Sequence, residues 1–193
     1  MSFVSIISRK NFITVMSDGQ VTNHEGQPIQ SDFQKFKQIS PHQFIAFAGA
    51  KEICEQFINQ VEYTAGSYNL NDIANQINQI ANEERFNQFR LFFAIGGIEL
   101  DGDITLYVVE HGGTRDFRVQ RPINEDDINY AFLNSEMIDR VNMNEKLIEC
   151  LRITGFETPE ECLYSQKLLN DFVESIDSTV NNQTFTLIIR KSS

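Results

Sequence analysis

Val15-Met16-Ser17-Asp18-Gly19-Gln20-Val21-Thr22 is the run on which the reading of this 193-residue chain turns. Ahead of it stand two short alternating stretches, residues 3–8 and 12–16, separated by Arg9-Lys10-Asn11. Successive side chains of a strand point to opposite faces, so two alternating stretches around a short polar break predict a hairpin. That hairpin returns Asp18 to the neighbourhood of the first residues. If Met1 is removed, Ser2 carries a hydroxyl and a free α-amine on one residue, with a carboxylate close by. A nucleophile and a base are then present before any later residue is invoked.

Composition narrows the rest. The length buries one substantial core, so residues 1–193 are expected to form a single domain. A hydrophobic fraction of 41% with sixteen Phe agrees with a well-filled interior. The net charge of −11 argues against nucleic acid, because phosphate binding needs clustered Lys and Arg. No apolar run approaches bilayer length and no leader is evident, so no membrane partner and a cytoplasmic location are expected. Cys54, Cys150 and Cys162 form no Cys-x-x-Cys pair and read as reduced core thiols. His24, His42 and His111 lie far apart, so neither a metal nor another cofactor is expected.

Beyond the first hairpin, residues 23–28 form a polar connection and residues 28–35 read as a strand with Phe33, Lys35 and Lys37 on one side. Ser40-Pro41-His42-Gln43 is a turn, and residues 44–48 are a short buried strand ending at Gly49. Helical spacing of apolar residues marks 51–63 and 71–84, the second capped by Asn71 or Asn69. Residues 89–98, 104–110 and 117–120 read as strands, with Gly96-Gly97 as a bulge or close-packing site. A short strand at 130–133, helices at 136–154 and 158–177, and a strand at 183–190 complete the chain, with Thr158-Pro159-Glu160-Glu161 as a helix start. This order establishes an α+β chain. Two sheets face to face with a helical layer outside each would bury every apolar stripe.

The Ser17-Asp18-Gly19-Gln20-Val21-Thr22 run resembles the Gly-Asp-Gly-Gln-Ala/Val-Thr run of the HslV peptidase family, relatives of proteasome β subunits. With Asp18 on the family aspartate, Ser2 falls without a gap on the catalytic N-terminal residue. Lys35, in Phe33-Gln34-Lys35-Phe36-Lys37, falls on the active-site lysine with one residue inserted. Phe47-Ala48-Gly49-Ala50 is similar to the segment that supplies the oxyanion-hole amide. The likeness spans roughly the first sixty residues.

What the resemblance implies is a four-layer αββα sandwich and an N-terminal nucleophile hydrolase cutting peptides or unfolded proteins. Its assembly would be a homo-oligomeric ring, served by an ATP-dependent unfoldase. Ser2 would attack, its amine would accept the proton directly or through one water, Lys35 would hold positive charge beside the hydroxyl, Asp18 would pair Lys35, and the amide at Gly49 would meet the oxyanion. Asp177, in Asp177-Ser178-Thr179, and Ser135 resemble the family's C-terminal site segments. The chain departs from the pattern at Ser2 in place of the commoner Thr, at bulky Phe3, and at Phe132-Leu133-Asn134 where glycines are usual. Two alternatives stay open: a catalytically silent assembly or regulatory subunit, and a hydrolase of small amides.

Overall fold

A computed structural model describes residues 3–23, 25–111, 117–134 and 140–191. The elements run β1 (Phe3–Ser8), β2 (Phe12–Asp18), β3 (Val21–Thr22), β4 (Pro28–Gln30), β5 (Phe36–Ser40), β6 (Gln43–Gly49), α1 (Lys51–Ile58) and α2 (Leu70–Ala81). They continue with β7 (Leu91–Ile98), β8 (Ile104–Glu110), β9 (Arg118–Gln120), β10 (Asn129–Asn134), α3 (Arg140–Thr154), α4 (Pro159–Ile176) and β11 (Thr184–Arg190). One antiparallel sheet has the order β10-β1-β2-β11 and the other β5-β6-β7-β8-β9, while β3 and β4 make a small hairpin of their own.

Three apolar clusters explain the layering. Val4, Ile6, Ile13 and Val15 of the first sheet pack against Phe44, Ala46, Ala94 and Leu106 of the second, which forms the filling between the sheets. The opposite face of the second sheet, with Ile45, Phe47, Phe93 and Ile95, is covered by Phe57, Ile73 and Ile77 of α1 and α2. The opposite face of the first sheet, with Phe3, Ile7 and Phe12, is covered by Met143, Leu147, Leu169 and Val173 of α3 and α4. The result is the four-layer αββα sandwich. Burying both faces of each sheet is why β1, β2 and β6 are apolar or small at almost every position, each large side chain contributing about 1.5–3 kcal/mol.

Several local expectations hold with identifiable causes. The first hairpin forms, with Val4 opposite Ser17 and Ser8 opposite Ile13. Asn69 caps α2 by accepting the Asp72 amide. Thr158 and Glu161 form a reciprocal capping box around Pro159 at the start of α4. Gly97 has φ +135 and a Cβ there would stand 2.1 Å from the His42 carbonyl oxygen, so the close approach of β6 and β7 requires glycine.

Several boundaries differ from expectation, among them the end of α2 at Ala81 and the start of β7 at Leu91, and two differences have a visible cause. Residues 28–35 are not one strand: pairing stops at Gln30 and resumes at Phe36, because the Phe33 amide donates to the Gly19 carbonyl and pulls the intervening segment across the end of β2. Helix α1 ends at Ile58, not near residue 63, and Lys37 Nζ donates to the Ile58 and Val61 carbonyls at 3.2 and 2.7 Å. The apolar stripe that extends to Val61 is explained by Val61 packing on the same cluster from outside the helix. Among the described residues, no helix is long and apolar enough to cross a membrane.

Candidate functional site

The hairpin returns Asp18 to the start of the chain. Asp18 closes β2 with no solvent exposure, and its two oxygens are spoken for by three donors. Oδ1 accepts the Phe3 amide at 2.8 Å and also the Lys35 ammonium. Oδ2 accepts the Gln20 amide at 2.9 Å, which fixes the turn through Gly19. A carboxylate held by two backbone amides and a cation is a rigid point in an otherwise apolar interior.

Lys35 arrives from the segment between β4 and β5. Its amide faces Ser17 Oγ at 3.4 Å and its carbonyl accepts the Phe47 amide at 3.0 Å, so the backbone is clamped between β2 and β6. The side chain is 1% exposed. Burial lowers the lysine from 10.5 to about 8, and the charge and hydrogen bond of Asp18 oppose the fall. At pH 7 the ammonium form therefore still dominates.

Lys35 lines a cleft of about 710 Å³ together with Phe33, Phe47, Gly49, Lys51 and Thr179. Gly49 has φ +126, and a Cβ there would lie 2.1 Å from the Arg90 carbonyl oxygen. Only glycine lets β6 end in this conformation and lead through Ala50 into α1. A cavity of about 320 Å³ beside Arg118, Asn129 and Phe132 lies apart from these groups and contains none of them.

The C-terminal predicted residue joins the site through a neighbour. Asp177 Oδ1 accepts both the amide and the hydroxyl of Thr179, at 2.9 and 2.6 Å, and Thr179 then lines the cleft. Gln20 Nε2 donates to the Ser178 carbonyl at 2.7 Å, so the turn after β2 and the turn after α4 are joined. Ser2 and Ser135 lie outside the described residues. What precedes Ser135 is described: Asn134 stands opposite Phe3 in the β1/β10 ladder.

Phe3 and the Phe132 segment, the two bulky departures, belong together. Phe3 is 1% exposed within the α3 and α4 layer, and its ring stacks with Phe132 at 6.2 Å between centroids. Large residues at both positions fill one space, away from the cleft. Sequence reasoning missed Thr179 and Asn181. Asn181 accepts the Gly19 amide at 3.0 Å and donates to the Ser31 carbonyl at 3.0 Å, bridging segments more than a hundred residues apart. No local pattern around Asn181 announces that role.

Comparison with known proteins gives a consistent picture. The crystal structure of eukaryotic HslV from Trypanosoma brucei superposes with a TM-score of 0.69 and 13% sequence identity, over 97% of this chain and 99% of that one. At that identity the likeness speaks for the fold. A search of curated proteins returns no match. Residues 6–118, more than half of the chain and including Asp18, Lys35 and Gly49, match the model of the proteasome subunit family. With that match over the segment that builds the buried Asp18–Lys35 pair, and with the four-layer sandwich around it, the chain belongs to the proteasome subunit family.

Proposed function

We propose that this protein is an N-terminal nucleophile peptidase whose nucleophile is Ser2, uncovered by removal of Met1. Membership of the proteasome subunit family supports an N-terminal nucleophile hydrolase in general. The observation that carries the finer assignment is the Asp18 carboxylate, which accepts the Phe3 amide at 2.8 Å and the Lys35 ammonium on the same oxygen. Phe3 is covalently joined to Ser2, so the residue proposed as nucleophile is one peptide link from the anchored point.

In this reading the free α-amine of Ser2, with an ordinary pKa near ~8, takes the proton of its own hydroxyl as the oxygen attacks the peptide carbonyl. The neighbouring Lys35 ammonium lowers the amine's proton affinity and stabilises the developing negative charge. The Gly49 amide donates to the oxyanion, a contact whose loss typically costs about 3–4 kcal/mol of transition-state stabilisation. The amine returns the proton to the leaving nitrogen, an ester to Ser2 remains, and water cleaves it. Asp18 positions Lys35 and Asp177 positions Thr179, while Ser135 is assigned to the site by the family resemblance of its segment alone. The protein works on peptides or unfolded chains within a homo-oligomeric ring, fed by an ATP-dependent unfoldase.

Intact mass decides the first step: the active protein lacks Met1. An electrophilic peptide epoxyketone, which bonds both a hydroxyl and an adjacent free amine, then adds its mass to Ser2, and Ser2→Ala abolishes both adduct and turnover. Retained Met1 with no adduct and no hydrolysis of peptides or small amides rejects the proposal and leaves a silent assembly subunit. Hydrolysis of small amides without peptides turns it into an amidase.

A further inference from the structure

Lys51 stands in the first turn of α1, two residues beyond Gly49, and lines the same cleft as Lys35. Its ammonium is held by neutral groups. Nζ donates to Gln30 Oε1 at 2.9 Å and lies 4.1 Å from the centre of the Phe33 ring. Each of those partners is itself braced. Gln30 Nε2 donates to Asp32 Oδ1 at 3.1 Å, which turns its oxygen toward Lys51, and Phe33 packs edge-on against Phe47 at 6.0 Å. An ammonium has three donors, so one hydrogen bond and one ring face leave donor capacity for a further acceptor.

Among the described residues no carboxylate pairs with Lys51, although the chain carries 27 acidic residues against 16 basic ones. Glu25 and Glu52 line the cleft as well but are solvent-exposed, and a hydrated carboxylate competes weakly for a cation held elsewhere. Lys35, the cleft's other lysine, already has its charge matched by Asp18. Lys51 thus presents an unmatched positive charge against aromatic walls, where an incoming carboxylate is less screened than in bulk water. The net charge of −11 acts against acidic peptides at long range, but that field fades over about 8 Å at physiological ionic strength, whereas a direct contact does not.

We infer that Lys51 is a specificity-determining residue that makes the cleft prefer peptides with an Asp or Glu side chain at the position reaching it. The Gln30–Phe33 wall holds its ammonium in place. This assignment rests on the peptidase reading of the same cleft.

The test uses the full-length protein and fluorescein-labelled hexapeptides in which Glu or Gln is moved through each position of one otherwise constant sequence. Binding is followed by anisotropy and cleavage by chromatography. At one position the Glu peptide should bind about tenfold more tightly than its Gln counterpart, the yield of one charge-assisted hydrogen bond. Lys51→Ala should abolish that ratio, Lys51→Arg should keep it, and Lys51→Glu should shift preference to a Lys peptide. Equal affinity for Glu and Gln peptides at every position, or a ratio unchanged in Lys51→Ala, overturns the inference. Glu-selective binding without cleavage overturns the peptidase reading and leaves Lys51's role standing. Cleavage without Glu preference does the reverse.

Discussion

Lys35 donates its ammonium to Asp18 Oδ1 where neither side chain meets solvent, at 1% and 0% exposure. Two charges in an apolar interior are costly singly and tolerable together, because removing one partner leaves the other uncompensated. Lys35→Met and Asp18→Ala should therefore each lower unfolding stability by about 3–5 kcal/mol. Asp18→Ala should be the worse of the two, since it also strands the Phe3 and Gln20 amides. Urea unfolding of the two variants and of the double variant measures this, and the double should cost less than the sum of the singles.

The same pair sets a pH dependence in which activity and stability move oppositely. The folded lysine has its pKa lowered to about 8 from 10.5, so the unfolded chain holds this proton more tightly. Between those two values the unfolded state binds more protons, and stability contributed by this group rises with pH. Over the same window the ammonium that assists attack is lost. Peptidase kcat/KM should fall as pH climbs through about 8, while denaturant midpoints of the wild type rise relative to Lys35→Met.

Gly49→Ala tests the close approach at the end of β6. Its Cβ would meet the Arg90 carbonyl oxygen at 2.1 Å in a conformation with φ +126, and neither backbone can yield without shifting a ladder. A loss of about 2–4 kcal/mol and of all turnover is expected. Calorimetry on the variant, with turnover measured well below its transition, separates a folded but inactive protein from an unfolded one.

The three thiols should be inert in the native protein. Cys54, Cys150 and Cys162 are free and buried, and burial raises all three, Cys162 to about 12. A thiol held protonated is a poor nucleophile. Ellman's reagent at pH 8 should label none on the timescale of minutes and all three after denaturation. Rapid labelling of a native thiol would mean that α3 and α4, or α1, open locally.

Helix α4 offers a stability test remote from the cleft. Thr158→Ala removes one half of the capping box with Glu161 and should cost about 1 kcal/mol without altering kcat. An activity change would reveal that α4 transmits strain to the Asp177–Thr179 turn.

What the amino-acid order determined unaided is local. Alternation wrote the β1–β2 hairpin, helical spacing wrote α2, and the Thr158–Glu161 box marked where α4 begins. Such features depend on neighbours a few residues apart, so one-dimensional spacing reports them. The joint order of Asp18, Lys35 and Gly49 was also readable, through a family likeness carried by short motifs. Tertiary structure alone decided that residues 31–35 leave the ladder, that α1 stops at Ile58 under the Lys37 ammonium, and that Phe3 and Phe132 share one space. It alone brought Asn181 to Gly19 and Lys51 onto Phe33 and Gln30. These are contacts between separate layers and loops, chosen by which surfaces can be buried together and which polar atoms must then find partners, and no short stretch of sequence encodes that choice.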